Sequence, residues 1–153
     1  MQVTRDGDTF EVQPLNDYWE FWQVRFAGTW EAGTKAVVDR HVGRGVFVDI
    51  GAWVGPVSLW ASRRGAHVIA AEPEPVSYSH LDANLRANRV SFHAKRVAIS
   101  DHDGVARLGR GEVWGDSVAS FSSDLDAIDV PCLTLESFLA AFDLVNVQLI
   151  KMD

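Results

Sequence analysis

Four residues at a set spacing carry the chemical interest of this sequence: Asp49, Gly51, Gly55 and Glu72. The run Val46-Phe47-Val48-Asp49-Ile50 enters a glycine turn, and Pro56 then opens a segment of helical pattern. That run is β-branched and aromatic except for Asp49, which predicts a buried strand. Gly51 and Gly55 lack a Cβ, so the backbone can turn tightly there and approach a ligand closely. Pro56 suits a first helical position, where its missing N–H costs nothing. Strand, glycine turn and helix start together predict a nucleotide-type site at the carboxyl edge of a sheet. A second apolar run, His67-Val68-Ile69-Ala70-Ala71, ends at Glu72-Pro73. An acidic residue about 20 positions after the turn, at the tip of the next strand, is placed to accept hydrogen bonds from a ribose diol. A dinucleotide fingerprint needs glycine at 53 and 56, where this chain has Trp53 and Pro56, so a nicotinamide-dependent oxidoreductase is disfavoured. Glycines at such spacing also occur in ordinary α/β turns, and it is Asp49 and Glu72 in register that favour a site.

The elements that must position these residues follow from patterning. Asp6-Gly7 between Val3-Thr4 and Thr9-Phe10-Glu11-Val12 signals a β-hairpin. Asn16 or Asp17 is placed to cap a helix reaching Phe26, with Gly28 stopping it, although Trp19 and Phe21 keep a strand reading open. Residues 34–42 read as a helix ended by Gly43, and 57–64 as a crossover helix. Glu74-Pro75 starts another helix to about Asn88, with Tyr78, Leu81 and Leu85 on one face. Residues 90–100 supply a third strand with an irregularity signalled at Lys95-Arg96, and 105–108 a strand pairing back as a hairpin. Residues 109–129, rich in Gly, Ser and Asp, read as a loop or short irregular strands. Thr134 caps a helix whose Leu135, Phe138, Leu139 and Phe142 follow helical spacing, and 147–152 form a last strand. Alternating strands and helices imply right-handed crossovers. The fold class is therefore α/β: a doubly wound, mainly parallel Rossmann-like sheet over 44–153, with a β-hairpin and helical extension over 1–43.

Bulk properties narrow the function classes. At 153 residues the chain is expected to form one domain with a sizeable core. A formal net charge of −7 argues against a nucleic-acid backbone as main partner. The single cysteine, Cys132, permits no intrachain disulfide and reads as packing. The N-terminus shows no apolar leader and no run reaches membrane-spanning length, so the expectation is a soluble cytoplasmic protein without membrane partners. His41, His67, His80, His93 and His102 lack metal-ligand spacing, and no metal is expected.

The chain resembles the FkbM-type methyltransferases, members of the class I S-adenosylmethionine-dependent enzymes. The resemblance is carried by Trp30-Glu31, Val48-Asp49-Ile50-Gly51-Ala52-Trp53-Val54-Gly55, Ala71-Glu72-Pro73-Glu74-Pro75 and Leu81-Asp82-Ala83-Asn84-Leu85 with Ala87-Asn88. It continues in Ala98-Ile99-Ser100-Asp101 with Gly104, Val130-Pro131 with Leu135, and Leu149-Ile150-Lys151-Met152-Asp153. Two departures stand out. The family usually has asparagine where this chain has Trp53, so a polar contact is lost or replaced by stacking. Its Lys-x-Asp is normally followed by Val-Glu-Gly and further strands, so the sheet is expected to be incomplete at the C-terminus.

The resemblance implies S-adenosylmethionine as cofactor and a hydroxyl on a small molecule, sugar or secondary metabolite as acceptor. It also implies roles. Gly51, Ala52, Trp53 and Gly55 would approach the methionine moiety, and Glu72-Pro73 the ribose. Asp49 would orient the turn or reach the cofactor's amino group through water, or else simply cap the turn. Ala98 and Ser100 lie where the adenine edge would be, or are plain strand residues. Glu31 would stand near the cofactor's amino-acid end, or cap a helix. Asp153, at the carboxyl end of the fourth strand, would orient a hydroxyl or act as general base, or else be a frayed terminal residue. The alternative function is a truncated, non-catalytic S-adenosylmethionine-binding module. A strand 147–152 apolar on both faces further implies a covered edge, with self-association as the favoured cover.

Overall fold

The computed structural model describes residues 1–13, 19–109, 120–121 and 127–153. Asp6 and Gly7, both at positive φ, turn β1 (Gln2–Arg5) back onto β2 (Asp8–Glu11) as an antiparallel hairpin. The caps read at Asn16 and Asp17 lie outside the described residues. After the hairpin, a short π-helical segment, Phe21–Phe26, buries Phe21, Trp22 and Phe26. Its aromatics join a cluster with Phe10 of the hairpin, whose ring meets Phe26 edge-on at 5.5 Å. This is how the N-terminal extension attaches to the rest.

The chain continues through α1 (Ala32–His41), β3 (Val46–Ile50), α2 (Pro56–Arg63), β4 (His67–Ala71), α3 (Pro75–Ala87) and β5 (Phe92–Lys95). It then forms β6 (Ala98–Ile99), β7 (Gly104–Gly109), β8 (Ser120–Phe121), β9 (Ile128–Leu133), α4 (Leu135–Ala140) and β10 (Val147–Met152). The central sheet has the order β10-β3-β4-β5, all parallel. Every residue of β3 is buried, as a strand covered on both faces must be. Phe47, Val68 and Ala70 face a core shared with α1, α2, α3 and the hairpin. Val46, Val48, Ile50, Ile69 and Ala71 face the other side, where Phe138 of α4 packs. Helices on both faces make the fold a doubly wound α/β one, as expected.

Three sequence readings change. The third strand is two strands, broken where Lys95-Arg96 signalled an irregularity: Val97 N–H bonds back to the Lys95 carbonyl at 3.1 Å. The second piece, β6, leaves the central sheet for a separate one of order β6-β9-β7-β8. There β7 pairs antiparallel with β9 rather than back onto the third strand, so 128–133 is a strand where a loop was read up to 129. Most of the expected loop, 110–119 and 122–126, lies outside the described residues. Lastly, β10 is less covered than its apolar composition suggests, with Val147, Ile150 and Met152 at 40%, 38% and 58% exposure.

Candidate functional site

The β3–α2 turn is built from both sides. The N–H groups of Gly51 and Ala52 both donate to the Ala71 carbonyl, at 2.9 and 3.1 Å, so the turn folds over the end of β4. Gly51 takes φ 69°, and a Cβ there would lie 3.2 Å from Asp153. Its bare backbone thus lets the turn rest on the end of β10. Trp53 also has positive φ, 51°, which a bulky side chain adopts only when its surroundings hold it. Glu72 does so: its carboxylate accepts from Trp53 N–H at 2.7 Å and from Glu74 N–H at 2.9 Å. Glu74 in turn caps α3, accepting from Val76 and Ser77 N–H.

Above this turn a cavity of about 470 Å³ opens at the carboxyl ends of β3, β4 and β10. Of the residues singled out in the sequence, Glu31, Gly51, Ala52, Trp53, Glu72, Pro73, Ala98 and Asp153 line it together. Asp49, Gly55 and Ser100 are not among its lining residues. Gly55 instead starts α2 at φ 89°, and a Cβ there would meet Leu81 Cδ1 at 2.8 Å; its role is helix packing. Ser100 bonds through its hydroxyl to Asp101 beyond the rim. Glu31 stands at the start of α1 in left-handed conformation and makes no side-chain cap to the helix backbone, bonding instead to the Thr34 hydroxyl.

Asp49 is fully buried beneath the turn. Ser58 Oγ donates to its Oδ2 at 2.7 Å, and Lys151 Nζ lies 3.3 Å from its Oδ1, an ion-pair distance. Burial pushes the Asp49 carboxyl above its ordinary range, with Lys151 and Ser58 pulling the other way. Burial equally opposes the charge on Lys151, but Asp49 and Asp153 outweigh it and hold the ammonium form above the ordinary lysine value. Glu72 is the most perturbed carboxyl of the cavity wall: burial pushes it up to about 7, against the two backbone N–H bonds.

Sequence reasoning gave no role to Lys151 or to the apolar wall of Ile50, Val57, Val97 and Leu108. Lys151 had a signal. It is the one cation in an apolar strand, as Asp49 is the one charge in another, and parallel pairing sets the two directly opposite. Among the described residues no group of three or more acidic, His or Cys side chains is arranged to hold a metal ion.

The model of the methyltransferase FkbM domain matches residues 49–153, more than half of the chain. The chain belongs to that family. The matched stretch begins at Asp49 and ends at Asp153, so the FkbM domain supplies the turn, Glu72 and the β10 end of the cavity. No curated protein matches the chain. Among solved structures, Pyrococcus horikoshii TYW2 in complex with MeSAdo is similar at 20% identity, with TM-score 0.47, over 63% of this chain and 35% of that one. A Pyrococcus abyssi tRNA (uracil-54, C5)-methyltransferase with S-adenosyl-L-homocysteine is similar at 15% identity, TM-score 0.45, over 62% and 23%. A geranyl diphosphate C-methyltransferase from Streptomyces coelicolor gives 15% identity, TM-score 0.40, over 60% and 38%. The chain thus spans 23% to 38% of the length of these structures. Among the described residues no helix is long and apolar enough to cross a membrane.

Proposed function

We propose that the cavity binds S-adenosylmethionine and that the domain methylates a hydroxyl of a small-molecule acceptor. The observation that carries this reading is Glu72. Its two carboxylate oxygens each accept one backbone N–H, which leaves further lone pairs on both for a vicinal diol. The cavity volume of about 470 Å³ suits a ligand of nucleoside size. When bound, the cofactor supplies an electrophilic methyl group on a positively charged sulfur. The lining residues favour such a cation: Glu31, Glu72 and Asp153 bring three carboxylates against the single ammonium of Lys151. In this reading Glu72 holds the ribose, Ala98 flanks the adenine, and Trp30 and Trp53 exclude water from the methionine end.

In this reading Asp153 acts on the acceptor. Its side chain is 77% exposed at the cavity mouth and pairs with Lys151 at 3.1 Å. A carboxylate there can accept a hydrogen bond from an acceptor hydroxyl, orient its oxygen, and take its proton as the oxygen is methylated. The family membership supports the reaction class, and the acceptor class comes from the family resemblance. The test is twofold: titration of the protein with S-adenosylhomocysteine, then methyl transfer from labelled cofactor to a panel of small hydroxyl acceptors. Binding and transfer are expected; no binding at millimolar ligand overturns the reading.

A further inference from the structure

We propose that Lys151 is a positioning residue: its ammonium group pins the Gly51 carbonyl and thereby fixes the turn that forms the cavity floor. Lys151 Nζ meets three oxygens at once, Gly51 O at 2.9 Å, Asp153 Oδ2 at 3.1 Å and Asp49 Oδ1 at 3.3 Å. The Gly51 contact is a hydrogen bond and the two carboxylate contacts are ion pairs, with Asp49 Oδ1 left without a hydrogen-bond partner. The side chain is only 16% exposed, so few water molecules compete for these contacts. A lysine that merely neutralised Asp49 would need one contact; this one reaches through the strand end to the cavity lining. Parallel pairing sets Lys151 opposite Asp49, which aims both side chains to the same face of the sheet.

The other end of the turn is held by opposite charge. Glu72, at the tip of β4, accepts from Trp53 N–H, while Lys151, on β10, donates to Gly51 O. Residues 51–53 are thus clamped between a cation from one neighbouring strand and an anion following the other. Trp53 sits at positive φ, 51°, which a bulky residue keeps only when held, whereas Gly51 takes 69° without strain. Releasing the Lys151 end leaves the Gly51–Ala52 peptide held only through Ala52 N–H on the Ala71 carbonyl, so the Gly51 carbonyl can tilt and move the surface against which a ligand rests.

The inference rests on the proposed cofactor reading for its affinity arm, and a second arm needs no ligand. In Lys151→Gln, S-adenosylhomocysteine should bind about tenfold more weakly by calorimetry, the effect of one hydrogen bond from a charged donor. In the same free variant, amide exchange should accelerate at Ala52 and Trp53 and stay unchanged along Val68–Ala71. Removing Lys151 alone leaves Asp49 buried and unpaired, which endangers folding. The Asp49→Asn/Lys151→Gln variant removes that charge and keeps both arms measurable. It too should show the fast turn and weak binding. Wild-type exchange and affinity in that double variant would reduce Lys151 to a counter-ion for Asp49 and overturn the proposal. Unchanged exchange in the single variant overturns it as well. Wild-type protein that binds no S-adenosylhomocysteine sinks the cofactor reading, while the exchange arm still decides Lys151.

Discussion

Glu72 couples the cavity to pH. Its folded value of about 7 lies above the free-carboxyl value of 4.5, because burial disfavours the anion. Between those values the folded protein therefore binds more protons than the unfolded chain. The stabilising contribution of Glu72 is full below about pH 4.5 and is lost as pH rises through about 7, an effect of about 3 kcal/mol. Ribose hydroxyls donate to the ionised form, so cofactor binding should expel a proton. Affinity for S-adenosylhomocysteine is expected to rise between about pH 6 and pH 8, with binding heats that depend on the buffer's ionisation enthalpy. Glu72→Gln should flatten that profile and weaken binding by about 1–3 kcal/mol, since one amide oxygen cannot serve two backbone N–H groups and a diol. A wild-type profile as flat as the variant's removes Glu72 from the site. Trp53 gives an optical check. Its ring packs edge-on against Phe21 at 4.6 Å and lines the cavity, so its fluorescence should change on cofactor binding. Trp53→Phe should lose most of that response; a full response from the variant places the reporter elsewhere.

At the scale of elements, the glycines separate site from scaffold. Gly55→Ala forces a Cβ into Leu81 at positive φ, and should cost about 1–3 kcal/mol in urea unfolding. Gly33, in the first turn of α1, has nothing within 4 Å of a built Cβ. Gly33→Ala should instead stabilise by about 0.5 kcal/mol. Equal effects at the two positions would contradict the packing argument. These elements were legible to different degrees. The β3 and β4 strands and their turn could be read because β-branched runs, glycine and proline are local signals. The hairpin and the Thr134 cap, whose Oγ1 accepts from Ser137 N–H at 3.1 Å, were legible for the same reason. The split of β5 from β6 was half legible. Lys95-Arg96 marks the break, but nothing local says that Ala98-Ile99 will pair with Cys132-Leu133. Lys151 depends on register between strands about a hundred residues apart, and Gly55 depends on where α3 lands. Such facts belong to tertiary pairing and leave no periodicity to read.

For the whole molecule, one expectation from the sequence reaches past the described contacts. Among the described strands β10 lies at an edge and pairs with β3 alone, and its Val147, Ile150 and Met152 are 40%, 38% and 58% exposed. We propose self-association over that edge, since an apolar edge strand with free N–H and C=O groups favours pairing. Sedimentation should show a mass that grows with concentration, and a strict monomer at high micromolar protein rejects it. The central claim, that 49–153 folds as a methyltransferase FkbM domain around a cofactor cavity, meets its most direct test in one calorimetric titration. With S-adenosylhomocysteine added to the wild-type chain, the structure predicts saturable heat at one site per chain and a rise in melting temperature. No heat and no thermal shift at millimolar ligand would contradict it.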